Sequence, residues 1–459
     1  MTLLKTILKG GVAALAVLSL PLTAQAADVD VDEPVDSDVR VRIETALRLF
    51  DMEAPAPAGS LSTPNGVIPL DLDLNPVGVG LGLSVLGEAE LGGVPVSLEG
   101  YASLSFATDE ASATRALGNN SALAIEGLTT GNGAQANVAT LLTAPNTADA
   151  ALFLTGVDGA GFTATINQAA QTIGPGPGGN LAVSESAFSV GRGAIVAGIF
   201  TDGTPNATAF GIVASDRGIA ITAAGDLSGF TLANTYNSDL IFAGADARIG
   251  PAEFTSGSIG FRPFVGPSLK TYQNDLESVT FFDSGARFAA APGVARAPSA
   301  TVTLDEDIDG NYFGGVAGFE VNINATERLS FGLRGVGGLY YLDANYTGEQ
   351  RATVDSGNNI FNVTAQQVGD TEGRLAATAR LDGTVAYEIA NGVSLGLTGT
   401  GEYLSAAPTV RRFNNSTTVS GGNQNSAVAG DPLAPGSNTS LDFFDTFSAG
   451  VGLDLTFRF

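Results

Sequence analysis

Apolar and polar residues alternate in many segments of the chain, and stretches rich in Gly, Asn, Asp and Pro separate these segments. A period of two is typical of β-strands whose two faces meet different surroundings. In residues 39–50 one face is apolar, while the other carries the charged side chains of Arg40, Arg42, Glu44 and Arg48. This pattern predicts a strand with one side against lipid or a core and the other side in a polar environment.

The same alternation predicts ten strands in all. They fall near 39–50, 76–87, 94–106, 238–249, 258–272, 311–323, 329–346, 373–389, 393–405 and 441–459. The pair Asn391 and Gly392 between two alternating runs indicates a tight hairpin. Twelve or more strands stay open as an alternative, because residues 107–237 contain further β-like runs.

The last segment of the chain alternates strictly and ends on aromatic residues, with Phe457 and Phe459 on its apolar face. It resembles the terminal strand of Gram-negative outer-membrane β-barrels, either porin-like or of the small-barrel type. The resemblance implies that the barrel assembly machinery is a partner and reads Phe457 and Phe459 as an assembly signal. It also implies that the protein resides in the cell outer membrane, in contact with its lipid.

Short turns and long connections follow one another along the chain. The long connections span about 51–75, 107–237, 273–310, 347–372 and 406–440. Short turns at one end of the barrel and long loops at the other are typical of outer-membrane barrels. We therefore expect an all-β fold, an antiparallel transmembrane β-barrel of about 10–12 strands or more with long extracellular loops.

The chain divides into five segments on this interpretation. Residues 1–26 have the charged, apolar and small-residue regions of a signal peptide. An acidic periplasmic tail (27–38) and the first barrel strands (39–106) follow. Residues 107–237 form a long insertion, which is an extracellular domain, a lumen plug or extra hairpins, and 238–459 hold the main barrel strands.

The composition and charge of the chain argue against several kinds of membrane segment, partner and activity. After the leader, no apolar run reaches the length of about 18 residues that a membrane-spanning helix requires. The formal net charge is −26, which argues against nucleic acid or anionic lipid as a partner. The chain contains no His, the usual general base of outer-membrane hydrolases, so we expect no enzymatic activity.

Charged residues on the polar faces are the candidates for lining the barrel lumen. An Arg on the lipid side near the midplane costs roughly 2–4 kcal/mol, so the charged faces must point inward. These residues either set the selectivity of a pore or form a network that fills a narrow barrel. The candidates are Arg40, Arg42, Glu44, Arg48, Glu99, Arg262, Lys270, Arg334, Arg374, Arg380, Asp382, Glu388, Asp454 and Arg458.

Asp305, Asp307 and Asp309 alternate as the ligands of a calcium loop do, and Gly310 follows them. A complete loop of that kind has Glu at its twelfth position, where this chain has Val316. A solvated acidic loop outside the barrel is the alternative that we favour. A weakly bound Ca²⁺ ion is the only cofactor that the sequence suggests.

Three functions remain compatible with the sequence. The first is a passive channel for small polar solutes or ions. The second is a structural or adhesive barrel that displays its loops at the cell surface. The third is an autotransporter-like barrel with a short passenger, against which the strands predicted before residue 107 argue. The sequence does not identify an extracellular partner.

Overall fold

The computed structural model describes residues 39–52, 59–68, 70, 72, 74–128, 134–144, 147–171, 180–187, 192–201, 206–364, 367–412, 416–420, 426–430 and 439–459. The predicted signal peptide (1–26) and acidic tail (27–38) lie outside these residues. Among the described residues no helix is long and apolar enough to span a membrane. The one short helix within them is α1 (Ala286–Ala289).

Nearly all of the described chain is β-strand. The strands are, in chain order, β1 (Arg40–Asp51), β2 (Gly59–Thr63), β3 (Gly66–Ile68), β4 (Val77–Leu91), β5 (Val94–Ala116), β6 (Ser121–Glu126), β7 (Ala134–Ala144), β8 (Thr147–Val157), β9 (Thr163–Gln171), β10 (Asn180–Ala187), β11 (Gly193–Thr201), β12 (Ala207–Ser215), β13 (Gly218–Gly225), β14 (Thr231–Pro251), β15 (Phe254–Ser256), β16 (Ile259–Asp283), β17 (Ser299–Asn324), β18 (Leu329–Asp355), β19 (Ile360–Thr364), β20 (Val368–Ala390), β21 (Val393–Arg412), β22 (Ser416–Ser420), β23 (Ser426–Gly430) and β24 (Thr439–Arg458).

Ten of these strands form a closed antiparallel ring. The order around the ring is β14, β5, β4, β1, β24, β21, β20, β18, β17 and β16, and pairing between β14 and β16 closes it. Closure leaves no strand edge unpaired, which is the condition for crossing a membrane with strands. The predicted all-β antiparallel barrel is confirmed, and each of the ten predicted strands corresponds to one member of the ring.

The outer surface of the ring carries an apolar belt. We call the side of the belt toward the end of β16 the upper side. There the belt is bounded by a row of cross-strand partners, Leu269, Phe313 and Tyr341. On the lower side it is bounded by the row of Ile259, Ile323 and Phe331. These side chains are exposed on the outside of the barrel. The 11 residues from Phe331 to Tyr341 match the length of about 9–11 residues of a membrane-crossing strand.

The ring continues well above the apolar belt. The row above it is polar, with Thr271, Asn311 and Asp343 as cross-strand partners. Strands β16, β17, β18 and β20 therefore extend into regions that the sequence predicted as the long connections 273–310 and 347–372. The outward face turns polar where it leaves lipid for water, so the apolar signal ends although the strand does not.

The two ends of the ring differ. Tight connections such as residues 92–93 and 391–392 lie at the end where β1 begins and β24 ends. The opposite end carries the long connections, which include residues 117–230 between β5 and β14. By the asymmetry of outer-membrane barrels, we expect the tight-turn end to face the periplasm. The protein is thus an outer-membrane β-barrel whose longest connections lie at the end opposite the tight turns.

Two further sheets lie at the long-connection end, and we call them together the upper sandwich. One has seven strands in the order β10, β11, β12, β13, β6, β2 and β3, and the other has five in the order β22, β23, β7, β8 and β9. Most of the predicted insertion 107–237 lies in these sheets, while its ends belong to β5 and β14.

Small residues hold the two sheets of the upper sandwich together. Their shared core is rich in alanine, with Leu152, Leu154 and Val213 among its larger members. On β12, a Cβ atom at Gly211 would lie 2.4 Å from the Leu154 side chain. A larger residue at this position would require the buried Leu154 side chain to shift, since a real Cβ does not approach so closely. The sequence thus sets the close spacing of the sheets.

The seven-stranded sheet closes the upper mouth of the ring. Its inner face packs on side chains that line the ends of the barrel strands, including Leu232, Phe282 and Val354. Phe210 of β12 lies at the centre of an aromatic cluster, with ring centroids 6.0 Å from Phe230 and 4.8 Å from Phe288. Edge-to-face aromatic contacts of this kind add to the free energy of burial. The upper sandwich therefore caps the barrel.

Candidate functional site: the barrel interior

The inner face of the ring is built by the alternation that the sequence shows. On β1, Ile43 and Leu47 are exposed on the outside, whereas Arg48 is 6% exposed and points inward. Register pairs inward residues with inward residues across neighbouring strands, such as Glu44 with Asp454. The polar faces of all ten strands therefore converge in one space.

Glu99 on β5 is the centre of the interior network. Its carboxylate, which is 3% exposed, accepts hydrogen bonds from Arg334 at 2.5 Å, from Arg262 at 3.3 Å and from Arg248 at 3.5 Å. Ser84 on β4 donates a fourth at 2.9 Å. The negative charge of Glu99 compensates the positive charges of these three guanidinium groups. It is required because a buried ion without a partner is strongly unfavourable.

Several contacts cross the whole lumen. Arg380 on β20 donates a hydrogen bond to the Tyr101 hydroxyl on β5. These two strands are five positions apart in the ten-strand ring, so they lie on opposite walls. The guanidinium carbons of Arg248 and Arg334 also lie 4.8 and 5.5 Å from the centre of the Tyr101 ring. Tyr101 and its arginines thus fill the centre of the barrel at this level.

A second group of ion pairs lies beside this centre. Arg42 contacts Glu44 at 3.2 Å and Asp454 at 3.4 Å, and Arg380 contacts Asp382 at 2.9 Å. Glu44 also forms an ion pair with Arg380 at 3.4 Å, which links this group to the contacts around Tyr101. Each arginine is therefore matched by carboxylates, and the interior charge is compensated locally.

Ion pairs also fill the part of the lumen that lies nearer the long-connection end of the ring. Lys270 on β16 reaches Glu402 on β21 at 2.7 Å, and Glu402 also pairs with Arg48 at 3.3 Å. Higher still, Glu306 pairs with Arg412 and accepts a hydrogen bond from the Tyr346 hydroxyl at 2.7 Å. Buried apolar side chains such as Leu342 occupy the space around these pairs.

Three cavities among these side chains are small. One borders Glu44 and Arg48, one borders Phe242 and Tyr272, and one borders Lys270, and each has a volume of about 20 Å³. That is room for about one water molecule. None of these three cavities is wide enough for a hydrated solute to pass.

The structure brings most of the predicted lumen residues into this network, and four lie at its margins. Arg40 reaches Glu320 only at 4.0 Å. Arg374 is exposed and stacks 4.6 Å from the ring centre of Phe443. Glu388 accepts a hydrogen bond from the Gly392 backbone at the hairpin turn, and Arg458 is exposed at the same end.

Sequence reasoning missed several members of the network. Four of them are inward-facing residues of predicted strands, so the alternation could have identified them: Asp246, Arg248, Glu320 and Glu402. Glu306 and Arg412 were out of reach, because they lie beyond the predicted strand ends. Their inward direction follows only from the continuation of β17 and β21 above the apolar belt.

Asp305, Asp307 and Asp309 lie in strand β17 and not in a loop. They alternate along the outward face of the strand, where Asp307 is the cross-strand partner of Asp275. Burial, and then repulsion from Asp307, raises the pKa of Asp275. Among the described residues no group of three potential metal ligands is arranged around one point. The weak Ca²⁺ site stays a prediction.

The predicted assembly signal lies at the tight-turn end of the ring. Phe457 and Phe459 have parallel rings with centroids 6.4 Å apart, and Phe459 is 78% exposed. The backbone N–H of Phe459 donates to the carbonyl of Val39 at 3.0 Å. These residues therefore flank the junction between the first and last strands of the ring, and their role in assembly stays a prediction.

One ion pair ties the cap to the barrel. Arg287 of α1 contacts Asp226 at 2.9 Å and the Thr208 hydroxyl at 3.1 Å, and its guanidinium lies 4.6 Å from the ring centre of Phe200. Burial alone would raise the pKa of Asp226, but hydrogen bonds from Ser228 and Arg287 hold it below its usual value. The carboxylate is thus charged and holds the connection after β16 against the upper sandwich.

Comparison with protein-family models and with curated protein sequences finds no match. Among solved structures, the chain is similar to the outer membrane protease OmpT from Escherichia coli, at 8% identity over 94% of this chain and 100% of that chain, with a TM-score of 0.27. It is also similar to a Pseudomonas aeruginosa FadL homologue, at 8% identity over 92% of this chain and 90% of that chain, with a TM-score of 0.19. An anion-selective porin from Comamonas acidovorans matches at 9% identity over 92% and 99%, with a TM-score of 0.14. Superpositions this loose carry no argument about function, and the fold assignment rests on the closed ring itself.

Proposed function

We propose that the protein is a non-conducting outer-membrane barrel that displays the upper sandwich at the cell surface. The observation that carries this proposal is the filled interior, in which Arg380 and Tyr101 join opposite walls. A passive channel for solutes or ions needs a continuous aqueous path, and the ion pairs around Glu99 and Glu402 occupy that space. The cap formed by the seven-stranded sheet adds a second obstruction at the upper mouth.

The position of the upper sandwich supports a structural or adhesive role. The sandwich is attached to the outer end of a rigid ring through buried apolar contacts and the Arg287 to Asp226 ion pair. A rigid attachment holds a binding surface in a fixed orientation toward the medium. The order of the chain argues against an autotransporter-like barrel, because β1, β4 and β5 belong to the ring and precede all strands of the upper sandwich except β2 and β3.

Antibody labelling of intact cells tests this proposal. An epitope tag inserted between Ala160 and Gly161, in the turn between β8 and β9, should be labelled on intact cells. The matched control is the same tag inserted between Asn391 and Gly392, in the turn between β20 and β21. It should be labelled only after the outer membrane is permeabilised. Labelling of the control alone on intact cells would place the upper sandwich on the periplasmic side and overturn the proposal.

A further inference from the structure

The outer face of the five-stranded sheet is an exposed surface that the barrel does not use. On β8, Leu152 and Leu154 are 3% and 0% exposed and point into the upper sandwich, whereas Phe153 between them is 42% exposed. On β9, Ile166 is buried, while its neighbours Thr165 and Asn167 are exposed. Phe153 thus projects from the outer face of the sheet and leaves a large part of its aromatic ring open to solvent.

Two amide side chains flank this aromatic ring. Asn137 on β7 and Asn167 on β9 are both direct cross-strand partners of Phe153. Neighbouring strands lie about 4.8 Å apart, so the two amides stand roughly 10 Å apart with the phenyl ring between them. Each amide offers two N–H donors and one carbonyl acceptor.

The cross-strand rows on either side of Phe153 carry small side chains in one case and hydroxyl groups in the other. Ala151 lies next to Phe153 along the outer face and has Ala139 and Ala169 as partners. These side chains are too small to cover the phenyl group of Phe153 from that side. On the other side, the hydroxyls of Thr155 and Thr165 lie 3.4 Å apart. The result is a shallow platform with one aromatic ring at its centre and hydrogen-bonding groups around it.

The platform is free of charge, although the chain carries 47 acidic residues and a net charge of −26. None of the outward residues in the three rows that contain Ala151, Phe153 and Thr155 is ionisable among those that the structure describes. An uncharged surface within a strongly acidic protein favours an uncharged ligand, because it gives no attraction to a cation and imposes the least repulsion on a neutral molecule.

We propose that this platform, Asn137, Phe153, Asn167, Thr155 and Thr165, binds a neutral pyranose sugar of a surface glycan. The C–H groups on one face of a sugar ring pack on the electron-rich face of Phe153, while its hydroxyls bond to the flanking amides and threonines. This inference deepens the proposed surface role. It is tested on purified protein, so its failure is separate from a failure of surface display.

Saturation-transfer NMR and calorimetry on the refolded full-length protein test the proposal. The probes are neutral hexasaccharides of glucose, galactose, mannose and N-acetylglucosamine, in a detergent whose headgroup is not a sugar. At least one should bind saturably. Phe153→Leu, which keeps an apolar side chain without a ring, should weaken that binding about tenfold. Asn167→Ala should weaken it roughly fivefold, and Phe153→Tyr should retain it.

Phe162 provides the matched control, since it is 61% exposed in the turn before β9 and outside the paired rows. Phe162→Leu should bind as the unchanged protein does. Absence of binding to all four probes would overturn the proposal. Equal affinity in Phe153→Leu and the unchanged protein would overturn it too, and so would an effect of Phe153→Leu only on self-association measured by sedimentation.

Discussion

A chain truncated after residue 438, which lacks β24, is expected not to assemble in the outer membrane. Strand β24 pairs with β1 over 12 residue pairs and also pairs along β21, so its loss opens the ring and leaves two edges. Unpaired backbone groups in lipid cost several kcal/mol each, and no rearrangement of nine strands removes that cost at unchanged register. Removal of Phe459 alone should lower the yield of assembled protein, because it deletes the predicted assembly signal.

Heat-modifiability on gels and fractionation of the outer membrane measure this effect. The matched control deletes residues 416–430, which hold β22 and β23 of the upper sandwich and lie outside the ring. That variant should still give the compact, heat-modifiable species. Normal insertion of the chain without β24 would contradict the closed ring described here.

Glu99→Gln is expected to destabilise the barrel by about 3 kcal/mol or more, since removing one partner of a buried ion pair costs roughly 3–5 kcal/mol. The carboxylate receives Arg248, Arg262 and Arg334, and the neutral amide leaves these three guanidinium groups without their shared anion. The amide group also replaces an acceptor with a donor that faces other donors.

The urea concentration at which the compact species is lost on unheated gels measures this change. Glu90→Gln is the control, because Glu90 is an exposed residue next to the turn between β4 and β5. Its effect should stay within about 0.5 kcal/mol. An unchanged midpoint for Glu99→Gln would show that the arginines do not depend on Glu99 and would refute its central place in the network.

The sequence was sufficient for the ring and its faces, because lipid outside and charge inside impose a strict period of two. Strand ends were harder to predict. The outward face of β17 changes from Phe313 to Asn311 and Asp309 where the strand leaves lipid, and this change resembles the start of a polar loop. The pairing of β17 with β18, for example of Asp309 with Asn345, shows that the sheet continues there.

The partners within the interior were not predictable from alternation. The period of two assigns Arg380 and Glu99 to the inner face, but not to particular partners. Their partners depend on which strands face each other across the lumen, which the number of strands and their register determine. The arrangement of the upper sandwich was not predictable either. The β-like runs in residues 107–237 left an extracellular domain, a lumen plug and extra hairpins open, and the core that joins the two sheets is rich in small residues such as Ala197, Ala209 and Ala224.

Single-channel recording in planar bilayers tests the central claim, that the interior network closes the barrel. With the intact protein inserted, we expect no steady conductance at low or at high salt, because screening weakens exposed charges but leaves buried ion pairs in place. The paired residues lie inside the ring, where the side chain of Glu402 is 4% exposed and those of Arg380 and Lys270 are 10% and 14% exposed. A stable current at both salt concentrations would contradict the closed barrel and would show that solutes pass through its interior.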